Sequence, residues 1–285
     1  MGMNLGFLAL SIVKIVAILA YLYGLFWALG RANRAVKIAS VVIAFGLIQL
    51  ALSVKFGETQ ILNDFDRGLL FQACTMTMVA LGLNLIYGFN GQFSLAQWGF
   101  YGIGAYTAAD ITYRWNVRDA RGLLVAGSGV LLGGLMILAV GRLVRRYAGM
   151  PVLSQFTLYL IGGVAAGAAA VGIGNALNPA LAPLFGTVDA PGVLASPAVM
   201  QVVFLLAVLI AGAFAAEVSF LFGLPVLTLG SDYFGIATLG FSIVVQTLMV
   251  NTDTILPFPE MKGGRGMIGI PKLTTWFWAF LFLVA

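Results

Sequence analysis

Residues 68–109 and 147–188 each run for 42 positions without a charged side chain. A helix on the surface of a soluble domain carries charge on its outward face, so stretches this long and this bare belong to a chain whose exterior meets lipid. One bilayer crossing needs about 20 mainly apolar residues, and each stretch holds roughly twice that. The rest of the composition agrees: 61% of residues are hydrophobic and 9% charged, where soluble proteins carry about a quarter charged residues. The fold class this implies is all-α, a polytopic transmembrane helix bundle.

Several function classes fall away. There is no histidine, the commonest general base and metal ligand. Cys74 is the single cysteine, so neither an intrachain disulfide nor a cysteine-based metal framework can form. No metal, cofactor or catalytic residue is expected. The 15 basic residues are spread between apolar runs, with Arg145 and Arg146 adjacent, which is no footprint for nucleic acid. No GxxxxGK[ST] loop occurs, so any ATPase must be another chain.

The apolar runs predict eight complete spans. They fall at 5–29 (interrupted only by Lys14), 38–54, two within 68–109, then 122–141, 152–175, 198–216 and 233–251. The first run is too long for a signal peptide and lacks a small-residue cleavage site. A Pro- and Gly-rich excursion is expected after 175, where Pro179, Pro183, Pro191 and Pro197 lie. A final run starts at Trp276 and reaches Ala285 after ten residues. At about 1.5 Å per residue it is too short to cross, so a truncated ninth span and a longer parent protein are expected. Residues 1–67 read as N-terminal spans with an outer loop, and 68–285 as the core of a single membrane domain.

Loop charge sets the orientation. With the N-terminus outside, the inner loops hold Arg31, Arg34, Lys37, Arg142, Arg145 and Arg146 against Glu217 alone. The outer loops hold eight basic against eight acidic side chains. Lys14 is expected to snorkel to the outer headgroups.

Two segments differ from plain lipid-facing helices. Residues 81–109 place Asn84, Asn90, Gln92, Ser94 and Gln97 at bilayer depth among six glycines. Amides in hydrocarbon need partners, and glycines permit turns, so this reads as a broken or re-entrant helix facing protein or a water-filled path. The glycines serve equally well for helix packing, as do Gly129-x-x-x-Gly133 and Gly163-x-x-x-Gly167. In the second segment, 224–251, Pro225 marks a break and Gly230 a helix end. Ser231 and Asp232 then cap the next helix or make a polar contact. The loop 252–275 is long and rich in Gly and Pro, and its Lys262-Gly263-Gly264-Arg265 core suits an anion, an acidic partner patch or a solvated turn.

These residues carry a resemblance. Gly82-Leu83-Asn84-Leu85-Ile86-Tyr87-Gly88-Phe89-Asn90-Gly91-Gln92-Phe93-Ser94-Leu95, continuing to Tyr106, is similar to the hallmark of permease subunits of ABC importers for branched-chain amino acids, the LivM type in particular. Ser231-Asp232-Tyr233-Phe234-Gly235-Ile236-Ala237-Thr238-Leu239-Gly240-Phe241 and Gly263-Gly264-Arg265-Gly266-Met267-Ile268-Gly269-Ile270-Pro271 resemble two further hallmarks, in order. The resemblance implies a bacterial inner-membrane subunit that pairs with a second permease subunit. Two cytoplasmic ATP-binding subunits would power it, and a periplasmic substrate-binding protein would feed it from the side of loop 252–275. Asn84, Asn90, Gln92, Ser94, Gln97, Tyr106 and Thr238 become the expected path residues, and Lys262 to Arg265 the receptor-facing ones. Ile243 and Gln246 depart from the family pattern, which has a Glu and an Arg there. The coupling loop to the ATPases is expected beyond residue 285. The alternative is a secondary active transporter with broken helices, and a membrane enzyme stands third. Branched-chain amino acids, other amino acids and urea-like amides all fit as substrates.

Overall fold

A computed structural model describes residues 5–30, 33–56, 59–60, 62–147, 149–187, 190–227, 231–255 and 258–284. In chain order the elements are α1 (Leu5–Leu29), α2 (Arg34–Ser53), a two-stranded hairpin of β1 (Lys55–Phe56) and β2 (Thr59–Gln60), and α3 (Asp64–Asn90). There follow α4 (Gln97–Asn116), α5 (Arg121–Arg146), α6 (Val152–Phe185), α7 (Pro197–Val226), α8 (Ser231–Val250), the short α9 (Thr252–Ile255) and α10 (Trp276–Val284). The chain is an all-α polytopic bundle. Among the described residues seven helices are long and apolar enough to cross a membrane: α1, α2, α3, α5, α6, α7 and α8. The eighth long helix, α4, has 20 residues but carries Gln97, Asp110 and Arg114, and does not join that set.

The chain divides into two compact units, Met1–Thr77 with Thr274–Ala285, and Met78–Leu273. In the first, Cys74, Trp276 and Ala279 form a buried core with Phe45, Ile48 and Phe71 around it. Trp276 stacks on Phe45 and donates its indole N–H to the Phe45 carbonyl at 3.2 Å, which docks α10 on α2. Lys14 does not simply snorkel: its Nζ lies 2.6 Å from Asp66 Oδ2 at the head of α3. An intramembrane ammonium is costly alone and much less so when paired.

In the second unit, α4, α5, α6, α7 and α8 alternate in direction. At the end where α4 finishes, Ile111, Trp115, Ala120, Phe185, Val203 and Ala207 make a buried core. Trp115 meets the Phe185 ring edge-on at 4.9 Å and donates to the Leu194 carbonyl at 3.1 Å. Three sequence expectations need correction here. The excursion after 175 does not begin there, because α6 continues through Pro179 and Pro183 to Phe185. Its last turns are held by tertiary contacts: Asn178 Oδ1 accepts the Ala120 N–H at 3.0 Å, and Phe185 is fully buried. Likewise α7 does not stop at 216 but runs to Val226, with Pro225 in its final turn. Glu217 therefore lies inside a helix, not in an inner loop, and its carboxyl rests against Gly133 and Gly134 of α5. Of the small-residue pairs, Gly129, Gly133 and Gly163 face a neighbouring helix, while Gly167 faces open space.

Candidate functional site

The interruption falls where glycine and amide density is highest. Helix α3 ends at Asn90, and Gly91 takes a left-handed φ of +66°, a conformation that glycine adopts without penalty. Residues 91–95 have no regular structure, a turn at Ala96 follows, and α4 starts at Gln97. Non-helical backbone at membrane depth needs partners for its N–H and C=O groups, and α8 supplies them. Thr238 Oγ1 accepts the Leu95 N–H at 3.0 Å, and Ser242 Oγ donates to the Leu95 carbonyl at 2.6 Å. Ser94 Oγ accepts the Ala96 N–H at 3.3 Å, closing the local turn.

Close packing makes this possible. A Cβ on Gly99 would stand 2.8 Å from the Phe241 ring, and one on Gly102 would stand 2.8 Å from Met249. These two glycines thus let α4 lie directly on α8. Phe241 in turn packs against Phe222 of α7, with ring centroids 4.2 Å apart, and Phe100 lies 4.9 Å from it. Ser94, Ala96, Phe234 and Thr238 are buried in this junction.

The expected path residues do not all converge. Ser94 and Thr238 are brought together, and the hydroxyl of Thr238 is already engaged with Leu95 and the Gly235 carbonyl. Gln97 is half-buried and reaches back to Gly82, where a Cβ would lie 3.7 Å from its Oε1. Gln92 and Tyr106 are half-buried, and Asn84 is exposed on α3. The side chains of Asn90, Ser231 and Asp232 lie outside the described residues, as does Gly230. Ile243 and Gln246 are exposed on α8.

The Lys262–Arg265 group sits near the other end of α8, about 30 Å from its start by helix rise. Met261 and Met267 bridge across a tight hairpin, and Lys262 N–H bonds the Gly266 carbonyl at 3.0 Å. Gly263, at φ +55°, presses on α8: a Cβ there would come 2.8 Å from the Val250 carbonyl. Lys262 and Arg265 are exposed and line an open hollow of about 620 Å³ with Asp253, Phe258, Pro259 and Met261.

Sequence reasoning missed what anchors this hairpin. Arg114, near the end of α4, donates to both oxygens of Asp110 at 2.8 and 3.0 Å, and to Glu260 Oε1 at 2.7 Å. Asp119 Oδ2 lies 3.6 Å from its Nη1, and the guanidinium covers the Phe258 ring at 4.7 Å. Glu260 is 1% exposed. Nothing local in Pro259-Glu260-Met261 announces a partner 146 residues away. Burial works to raise the Asp119 carboxyl, but hydrogen bonds from the Arg121 side chain and backbone outweigh it and hold the group below its ordinary value of 3.8. Its contribution to stability is therefore complete above that value and declines as pH falls below it. Acid titration of the folded protein should show Asp119→Asn losing part of the wild-type acid sensitivity, read as a smaller fall in melting temperature below pH 4.

The break, the α8 contacts and the loop hairpin all belong to the unit built around α4. Residues 67–146, which include α4 and the break, match the family model described as branched-chain amino acid transport system / permease component. The matched segment, residues 67–146, is under a third of the chain, and there the chain is similar to the branched-chain amino acid permeases. The high-affinity branched-chain amino acid transport system permease protein LivM of Escherichia coli strain K12 is 42% identical over 68 residues, covering 21% of this chain and 16% of that protein. Its namesake in Salmonella typhimurium strain LT2 is 41% identical over 68 residues, with the same coverage. The match thus spans well under two thirds of either relative. No solved structure matches the chain. The seven membrane-capable helices among the described residues make the chain a multi-pass membrane protein.

Proposed function

We propose that this chain is the membrane-spanning permease subunit of an ABC importer and forms part of a translocation path for branched-chain or related amino acids. The observation that carries this reading is the α3–α4 interruption: non-helical backbone held by α8 hydroxyls, lying inside the segment that matches the permease family. In such a design, irregular backbone at membrane depth lines a cavity, and half-helix ends face a polar substrate. Gln92, Ser94 and Gln97 supply the polar groups at this point, and the core of the permease begins at residue 68. The partners are a second permease subunit, two cytoplasmic ATP-binding subunits and a periplasmic binding protein. The exposed Lys262 and Arg265 face that binding protein, with the N-terminus on the same side of the bacterial inner membrane.

Uptake of labelled leucine by cells carrying the full set of subunits tests the reading. Uptake is expected to require ATP hydrolysis by the partner subunits. Gln97→Leu or Gln92→Leu is expected to lower the uptake rate about tenfold or more, the scale of one lost polar contact to substrate. Uptake that persists with hydrolysis-dead ATPases and follows an ion gradient overturns it in favour of a secondary transporter.

A further inference from the structure

Leu95 is the point where the interruption is fastened. Its N–H and its carbonyl have no backbone partner among the described residues, and each is taken by a hydroxyl of α8. Thr238 and Ser242 are four residues apart, so both hydroxyls project from one face of that helix. We infer that Thr238 and Ser242 are positioning residues forming a latch that keeps the interruption dry when engaged and releases it only when water reaches Leu95. The inference rests on the proposed path in linking the latch to transport, but the latch itself is testable without transport.

The argument turns on what each partner does when the two separate. A serine or threonine hydroxyl inside a helix has an alternative acceptor in the carbonyl one turn back. Thr247 uses that option toward Ile243 at 2.8 Å, and Thr238 already donates to Gly235 at 2.9 Å. Separation therefore leaves nothing on α8 unsatisfied. Leu95 has no such recourse, because a buried backbone N–H and C=O without partners cost several kcal/mol in an apolar setting. The buried neighbours of the latch are Phe234, Ala96 and Ser94, the last already holding the Ala96 N–H, and Phe241 fills the space between α4 and α8. Only water can replace the two hydroxyls. Opening the latch and wetting the interruption are thus the same event, and the asymmetry lies entirely on the Leu95 side.

The test uses the full chain in membrane vesicles, with Cys74→Ala as background and Leu95→Cys as reporter. A charged, membrane-impermeant methanethiosulfonate reagent reacts with a thiolate in water, so its rate reads wetting at this position. Ser242→Ala and Thr238→Val are each expected to speed labelling about tenfold, the scale of one lost hydrogen bond. Thr238→Ser keeps the hydroxyl and is expected to label at the parent rate. Equal labelling of the parent and the Thr238→Val/Ser242→Ala double variant overturns the latch, as does Thr238→Ser labelling as fast as Thr238→Val. Protection of the chain from trypsin, compared with the parent background, reports whether a variant has unfolded. Where the double variant loses that protection, Ser242→Ala and Thr238→Ser decide. If labelling responds as expected while leucine uptake keeps its rate in every latch variant, the latch stands and the path assignment of this segment falls.

Discussion

Arg114→Ala is expected to destabilise the protein by about 3–5 kcal/mol, the usual scale for stripping one partner from a buried ion pair. Arg114 is the shared cation of Asp110, Asp119 and Glu260, with its side chain 15% exposed and that of Glu260 1% exposed. Removing it leaves three acidic groups facing one another, and Glu260 has no water to turn to. The loss also strips the guanidinium from the face of Phe258. Arg114→Lys keeps the charge but not the fork that reaches Asp110 and Glu260 together, so it should fall between wild type and alanine. The pair can be separated from its burial cost. An Arg114→Met/Glu260→Met double variant leaves no orphaned partner at Glu260, and its loss should be clearly smaller than the sum of the two single losses. Thermal unfolding of the purified protein in detergent measures these variants together with the two methionine singles. An Arg114→Ala protein that melts with wild type would show that the cluster contributes nothing and that the hairpin 258–268 is held by packing alone.

That cluster also marks the limit of what the sequence discloses. The break at 91–96 was legible because its cause is local: Gly91 permits the turn, and amides crowded at bilayer depth signal backbone that needs partners. The helices were legible for the same reason, since about 20 apolar residues form a crossing almost irrespective of their neighbours. Where tertiary contact overrides local signals, the expectation failed. Pro179 and Pro183 argue for a loop, yet α6 continues through them because Asn178 and Phe185 are anchored by groups from α4 and the α4–α5 turn. Glu217 reads as a loop charge, yet α7 carries it into a notch that Gly133 and Gly134 leave open. Ser242 stands within an apolar run, where a serine has no signature. Its role depends on a carbonyl 147 residues earlier in the chain. The glycines divide between the two roles open to them: Gly91 makes the turn, and Gly99 and Gly102 make the contact with α8.

Gly99→Leu should show the largest effect on transport of any single apolar substitution in this region. The Cβ alone would press on Phe241 at 2.8 Å, and Ser242 Cα stands behind it at 3.5 Å. Phe241 has little freedom to yield, since Phe100 and Phe222 confine its ring at 4.9 and 4.2 Å. The added side chain must therefore push α4 away from α8, and overpacking of this kind costs about 1–3 kcal/mol. The functional loss should exceed what that stability change suggests. Gly99 lies three residues after Ala96, so a displaced α4 carries Leu95 out of reach of Thr238 and Ser242. Leucine uptake is expected to fall more than tenfold while much of the protein still folds, since hydrogen bonds lengthened beyond about 3.5 Å cease to hold their partners. Gly102→Ala provides the contrast. Its Cβ presses on the end of the Met249 side chain and stands at an ordinary 3.9 Å from Val245 Cγ1, and an unbranched thioether moves aside easily. Gly102→Ala should leave uptake within about twofold of wild type, as expected for a contact that repacks. Equal losses in Gly99→Leu and Gly102→Ala would mean that α4 tolerates no added side-chain volume anywhere along α8, and that the junction beside Leu95 has no special standing.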